Sequence, residues 1–517
     1  MGTQQTDQGE IFAFLAQPSA YGLPDSAKNS IKRIDTHGAV VFLAGPDAYK
    51  VKRAIYYPFM DFSTLEKRRA ASENEIRVNR PNAPDIYLEV LPIRRTPLGL
   101  RLGGEDGDII EWAVHSRRFD DDETLDKLAL RGELDLATAA RLAEAISAAH
   151  ARSPRHDQRT AERFRGWMSD TLDGLAASAT FPAAGVADLR TRFLAAYSAV
   201  APLLERREAQ GNVRRCHGDL HLRNIVLEAG TPVLFDAIEF DDGLATIDIL
   251  YDLAFVLMDF WQRGLRDHAN LLFNRYLWRA PEVEQELEGL AALPLFLALR
   301  AAIRALVTAA LSNLDAGDHS AEARQFFGAT EDFLRPQEAR LVAVGGFSGT
   351  GKSTLAAALA SELGHAPGAV HLRSDIERKR LFGADEFVPL PPEGYRPEVT
   401  ARVYARLLAL AEIALRAGHS VIVDAVHAKP EERDALTALA ARLGLSFTGL
   451  WLEAPVETLV ARVEARQHDA SDARAPVVRE QVTRPLGALN WARLDASQPL
   501  PELAEAARAA LRLPAAG

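Results

Sequence analysis

Gly346-Phe347-Ser348-Gly349-Thr350-Gly351-Lys352-Ser353 combines glycines, a lysine and a hydroxyl in the order G-x-x-x-x-G-K-[ST]. Chemistry on a polyphosphate needs those types at that spacing. Glycines let backbone N–H groups turn inward around an anion, and the N-terminus of a following helix adds its dipole. Lys352 supplies a point charge for the β- and γ-phosphates, and the Ser353 hydroxyl is placed for a divalent cation. The expected nucleotide-binding run is therefore Gly346, Ser348, Gly349, Thr350, Gly351, Lys352, Ser353 and Thr354. Asp375 closes the strand-like run HLRSD, where a carboxylate can accept the proton of a hydroxyl in line with the terminal phosphate. Asp424 ends SVIVDAV and is suited to holding the metal through water. Each of these acids, taken singly, also fits a helix N-cap. Arg462 and Arg466 stand four apart in ETLVARVEAR, and on one helix face they would close over the phosphates as a lid. A solvated face laced with Glu457 and Glu464 is the alternative.

A second constellation lies near residue 219. His217-Gly218-Asp219-Leu220-His221-Leu222-Arg223-Asn224 has the spacing H-x-D-x-x-x-x-N, and the apolar run TPVLFD then delivers Asp236. Asp219 is suited to taking a proton from an acceptor hydroxyl, while Asn224 and Asp236 converge on the metal ions that bridge nucleotide phosphates. Upstream, Lys50 and Lys52 are two apart on a strand and so share one face. One of them is expected to meet the phosphates, held by an acid on the next helix: Glu75, with Glu73 as second choice. The run IIEWAVHSRRF is expected to be a hinge strand whose backbone at 111–113 meets adenine. Asp248 and Asp252 read as local caps or ion pairs, and Cys216 as a small buried hydrophobe.

These residues need three kinds of element to position them. From about 36 to 115, β-rich runs (VVFLAG, AYKVKR, YLEVLPI, IIEWAV) alternate with turns, interrupted by the helical stretch TLEKRRAASENEIRVNR. From about 123 to 330 apolar residues recur at helical spacing, around a non-helical island that holds the second constellation. From about 340 onward strands and helices alternate regularly, as in a parallel sheet with crossover helices. The polar segment EDFLRPQEAR is the natural boundary. The expected division is an N-terminal extension at 1–35, a first catalytic domain at 36–335 and a second at 336–517.

HGDLHLRN with FDAIEF, after YKVKR, resembles the aminoglycoside phosphotransferase branch of the protein-kinase-like fold over about 36–330. No G-x-G-x-x-G precedes the lysines, only VFLAGPD, and no A-P-E follows Asp236. The first departure leaves phosphate coverage thin; the second argues against a protein kinase. GFSGTGKST, LRSD-x-x-RK, VIVDA, the paired arginines and D-x-SDA are similar to small P-loop kinases akin to gluconate kinases, zeta toxins and polynucleotide 5′-kinases, over roughly 338–500. The fold implied is mixed α/β and α+β: an N-terminal two-lobed protein-kinase-like domain, then a P-loop NTPase domain with a parallel sheet and flanking helices. The resemblance to the P-loop kinases implies transfer from ATP to a hydroxyl, with Asp375 as the base.

Composition sets the outer limits. The 517 residues exceed one ordinary core, and 48% hydrophobic with 25% charged residues is globular, not disordered or fibrous. A net charge of −11 disfavours extensive nucleic-acid contact, although end-binding needs only a small basic pocket. One cysteine excludes a disulfide framework and a cysteine-rich zinc site, and favours the cytoplasm. The N-terminus is no secretory signal, and its M-G-x-x-x-T match through Gly2 and Thr6 reads as coincidence. The run LAALPLFLALRAAIRALVTAAL is broken by Arg300 and Arg304 and reads as a buried helix, not a membrane span. The expectation is a bifunctional ATP-dependent phosphotransferase using Mg²⁺, with GTP also compatible, acting on small hydroxylated molecules. The alternatives are that one domain is a regulatory ATP-binding module for the other, or that the P-loop domain phosphorylates polynucleotide 5′ ends. Oligomeric state is left open.

Overall fold

The computed structural model describes residues 8–24, 26, 31–57, 60–156, 160–311, 317–466 and 469–513. Gly2 and Thr6 lie outside the described residues. The chain forms two compact units that do not follow chain order: 1–160 with 208–256, and 161–207 with 257–517. The expected cut at 335/336 thus falls inside the second unit. Its helical stretches 161–207 and 257–333 are compact with the parallel sheet that follows them.

In the first unit, a six-stranded antiparallel sheet runs in the order Lys32–Asp35, Ala39–Ala44, Asp47–Lys52, Asp108–Arg117, Tyr87–Thr96 and Gly99–Leu102. The second and third strands join through Gly45-Pro46 alone, with Ala44 opposite Asp47. Two residues cannot fold over a phosphate chain as a long glycine-rich loop does. The segment expected as an extension is part of this unit. Helix Gly9–Leu15 buries Ile11, Phe12 and Leu15 against Val40, Phe42, Val51 and Ile93. Gln8 donates to Glu111 at 2.7 Å and to the Lys52 carbonyl at 2.9 Å.

Helix Leu65–Asn79 starts at Thr64, whose hydroxyl caps the Lys67 N–H. Its buried face is polar: Arg68, Ser72, Glu75 and Asn79 recur at helical spacing with only Ala71 apolar among them. Such a face is stable only if each group finds a partner, and each charged one does. Arg68 pairs with Glu111 at 2.9 Å, and Glu75 meets both lysines.

In the second unit a five-stranded parallel sheet has the order Val370–Arg373, Val421–Asp424, Arg340–Gly346, Ser446–Glu453, Ala492–Asp495. The first strand in sequence is central, so the order reverses there. The crevice beyond the carboxyl ends at that switch point is where open α/β sheets bind ligands. The apolar run reads as expected: helix Leu293–Leu311 has Arg300 buried and most of its apolar residues in the core. The stretch Val283–Leu311 is long and apolar enough to cross a bilayer, yet 67% of its most apolar 18-residue window is buried inside the protein.

Candidate active sites

In the first unit, the strand Asp47–Lys52 and helix Leu65–Asn79 bring Lys50, Lys52 and Glu75 together. Lys50 Nζ is 2.9 Å from Glu75 Oε1 and 2.9 Å from Asp236 Oδ1. Lys52 is fully buried, 2.7 Å from Glu75 Oε2 and bonded also to Glu239. The two lysines therefore differ: Lys50 connects the acid helix to Asp236, and Lys52 is locked in the interior. Burial alone would raise the Glu75 carboxyl, but the two ammonium groups outweigh it and hold it at about 2. Burial would lower Lys50, yet Asp236, Glu75 and Glu239 push it well above its ordinary value. Glu73, the second choice, is on the exposed face and pairs with Arg69.

The H-x-D-x-x-x-x-N spacing brings Asn224 onto Asp219. Asn224 Nδ2 donates to the Asp219 carbonyl and to Asp219 Oδ2, both at 2.9 Å, leaving its side-chain oxygen for a cation. His221 Nε2 lies 3.4 Å from Asp219 Oδ2. His217 Nε2 meets the Phe235 carbonyl at 2.9 Å, and burial lowers its pKa. That contact ties the loop to the residue before Asp236. Asp236 itself sits at φ +59, a left-handed conformation that a non-glycine residue adopts at a cost of about 1–3 kcal/mol. Its N–H donates to the Tyr87 hydroxyl at 3.0 Å, which helps hold that turn.

Asp252 departs from its expected local role. Its carboxylate accepts from the N–H groups of His217 (3.2 Å) and Gly218 (2.8 Å) and lies 3.1 Å from His150 Nε2. It thus fixes the backbone that carries Asp219. Cys216 is buried, with its thiol toward the Ile247 carbonyl, and burial raises its pKa well above the usual value. The expected hinge is also displaced. Residues 111–113 are mid-strand, paired with Ile93, Pro92 and Leu91, and Glu111 is fully buried beside Arg68 and Gln8. The strand ends at Arg117, and Arg118 N bonds to the Pro46 carbonyl. A segment crossing out of the sheet must begin there.

In the second unit the phosphate loop has the required backbone. Gly349 is at φ +88, and a Cβ there would lie 2.6 Å from the Leu459 carbonyl oxygen; Gly346 would clash at 2.7 Å with that of Leu452. Ser348 N donates to Gln481 Oε1 at 2.8 Å, and helix Lys352–Ala360 starts directly at the loop. Thr350 bonds back to the Phe347 carbonyl, and Thr354 is on the first helical turn. Lys352 Nζ rests 3.2 Å from that same carbonyl, and burial lowers its pKa against the opposing pull of Asp424 and Asp375.

Ser353 Oγ donates to Asp424, which is buried with His371 Nε2 at 3.4 Å and Arg373 Nε at 3.7 Å. Burial opposes ionisation of Asp424, but His371, Arg373 and Lys352 together hold its carboxyl well below the usual range. Asp375 is half-buried at the first turn of helix Ser374–Leu381, and burial raises its pKa despite Arg373 and Lys352. Arg373, two residues before Asp375, links Asp424 to Asp469 (3.3 Å). His371 Nε2, Arg373 Nε and Arg466 Nη1 are buried without a hydrogen-bond partner among the described residues. Positive charge gathered beside the phosphate loop by Lys352, Arg373 and Arg466 fits a polyphosphate ligand. The Ser353–Asp424 pair fits a divalent cation, as do Asn224 and Asp236 in the first unit.

The two expected lid arginines do not share a helix face. Helix Val456–Glu464 ends before Arg466, which lies 3.5 Å from Asp469 and acts electrostatically on Lys352. Arg462 points elsewhere and donates to the Ala496 carbonyl at 2.9 Å. The helix stops because the pattern that buries Leu459, Val460 and Val463 ends there. Arg378, one turn after Asp375 on the same helix, donates to the Gly394 carbonyl and stacks over Tyr395 at 5.1 Å.

Residues 94–293 match the Phosphotransferase enzyme family (APH), and residues 341–487 match the AAA domain family AAA_33. An uncharacterized protein of Mycobacterium tuberculosis is 28% identical over 476 residues, covering 90% of this chain and 92% of the relative; one from Mycobacterium bovis matches equally. Among solved structures, a sugar kinase from Janibacter is 27% identical with a TM-score of 0.26, covering 34% of this chain and 95% of its own. A choline/ethanolamine kinase family protein from Mesorhizobium loti is 17% identical with a TM-score of 0.39, covering 64% and 95%.

Proposed function

The chain carries an APH phosphotransferase domain and a P-loop kinase-like domain, and from that premise we propose a bifunctional enzyme with one ATP-dependent active site in each, both phosphorylating hydroxyl groups of small molecules. The observation that carries this reading is that each unit assembles its own complete set. Lys50 joins Glu75 to Asp236 in the first, and Asn224, bonded to Asp219, accepts through its carbonyl from the N–H of Phe235, the residue before Asp236; Lys352, Ser353, Asp375 and Asp424 meet in the second. We keep 36–335 and 336–517 as the functional division, each with its own chemistry, although compactness divides the chain elsewhere.

In the first site Asp219, steadied by Asn224 and by a backbone that Asp252 fixes, takes the proton of the acceptor hydroxyl. Lys50 neutralises phosphate charge, with Glu75 setting its position. Asn224 and Asp236 would hold Mg²⁺. In the second site Lys352 and Arg466 offset charge on the phosphates, Ser353 and Asp424 would hold Mg²⁺, and Asp375 takes the acceptor proton. ATP supplies the transferable γ-phosphoryl group in both. Arg462 keeps a structural role at the Ala496 carbonyl. A reducing cytoplasmic setting fits a chain whose lone thiol is buried.

The test is ADP production against a panel of hydroxylated metabolites, aminoglycosides and 5′-hydroxyl oligonucleotides, with Asp219→Ala and Lys352→Ala made separately. Each substitution should remove turnover of a different acceptor. Turnover untouched by either change overturns the proposal.

A further inference from the structure

Helix Arg266–Arg279 lies within the span that matches the phosphotransferase family, yet it is compact with the P-loop sheet in the second unit. It covers the outer edge of the strand Val370–Arg373, which is the edge strand of that sheet. Asn274 acts as one peptide unit of a missing neighbour: its Oδ1 accepts from His371 N at 2.7 Å and its Nδ2 donates to the Ala369 carbonyl at 3.1 Å. Asn270 adds a second bond to the Ala369 carbonyl, and Trp278 Nε1 donates to the His371 carbonyl at 2.9 Å. An open strand edge is thereby closed by side chains of one helix.

The contact does more than seal an edge. The strand leads directly into Arg373, Ser374 and Asp375. The Trp278 ring lies under the Arg373 guanidinium at 5.5 Å and meets the edge of the His371 ring at 5.8 Å. Arg373 Nε and His371 Nε2 lie 3.7 and 3.4 Å from Asp424 Oδ2. Arg380, on the helix that begins with Ser374–Asp375, donates back to the carbonyls of Leu277 and Trp278 at 3.1 and 2.8 Å. A stacked guanidinium keeps its plane and its reach, whereas an unstacked one rotates freely.

We infer that helix Arg266–Arg279 is the positioning element of the P-loop active site, with Trp278 the residue that sets Arg373, and through it Asp424, for phosphoryl transfer. The P-loop site is then not self-sufficient. It is completed by a helix encoded some 100 residues upstream, within the other catalytic domain. This inference rests on the P-loop site being a phosphotransferase.

The test uses the full chain with the first site silenced by Asp236→Ala, and reads Mg-ATP hydrolysis that depends on Lys352. Trp278→Leu keeps apolar bulk without an aromatic face; Trp278→Phe keeps the face. Both lose the indole N–H. The inference expects kcat about 10- to 100-fold lower in the Leu chain, with KM for Mg-ATP moving much less than kcat, and a rate near the parent's in the Phe chain. It also expects equal thermal midpoints for the two variants. Equal rates in the Leu and Phe chains, whether both fast or both slow, overturn it. ADP production that Lys352→Ala leaves intact overturns instead the reading of the P-loop site on which it rests.

Discussion

At the scale of single residues, the first site depends on Glu75 serving two lysines at once. Its folded pKa of about 2 lies below the ordinary 4.5, so its stabilising effect is complete above about pH 4.5 and is lost as the pH falls toward 2. Urea unfolding followed from pH 7 to pH 3 should show that loss, and Glu75→Gln should flatten it. The same change leaves Lys50 to Asp236 and Lys52 to Glu239, so the buried cluster is broken on one side only. Breaking a buried pair by removing one partner costs about 3–5 kcal/mol, and the remaining acids should keep the loss at the lower end. Asp252 supports a second prediction. Asp252→Ala strands the buried N–H groups of His217 and Gly218, which costs about 1–3 kcal/mol each. Asp219-dependent turnover should fall with the loosened loop while Lys352-dependent turnover holds.

At the scale of elements, Asn274 is the sharpest case. Asn274→Leu removes the acceptor for His371 N–H at a closed strand edge and should cost about 1–3 kcal/mol. The loss should appear as a lower urea midpoint for the transition that an ATP analogue at the Lys352 site protects. Elements also mark what the sequence could disclose. The phosphate loop and the H-x-D-x-x-x-x-N loop were legible because all their chemistry lies within eight residues of chain. The parallel strands were legible because buried strands are continuous apolar runs. Asp252 was not, because its partners are 34 and 35 residues away and nothing local distinguishes it from a helix cap. The hinge was misplaced because Glu111 looks like an exposed polar break, whereas Arg68 and Gln8 make it a buried pair. Arg466 was assigned to a helix on i, i+4 spacing alone, and that helix ends at Glu464 where its apolar pattern stops. The choice between Lys50 and Lys52 needed the fold, since alternation places both on one face and only Asp236 separates them.

At the scale of the whole molecule, the two proposed sets of catalytic groups sit in two compact units whose boundaries cut across chain order. Motifs report where chemistry is encoded, and packing decides which helices surround it. The stretch 257–333 reads as part of the first domain by its helical texture, but its apolar and amide faces are buried in the second unit. Joining the two matched domains in one chain therefore has a structural consequence: residues 338–517 expressed alone should be less stable than in the full chain, and slower if the proposed P-loop activity holds, because the edge at Val370–Arg373 would be bare.

On the proposed reading each unit binds its own nucleotide. Isothermal titration of the full chain with a non-hydrolysable ATP analogue and Mg²⁺ tests it most directly. Two equivalents per chain are predicted, with Lys352→Ala abolishing one and Lys50→Ala the other. A single equivalent in the unmodified chain, or two equivalents that both survive Lys352→Ala, would contradict it.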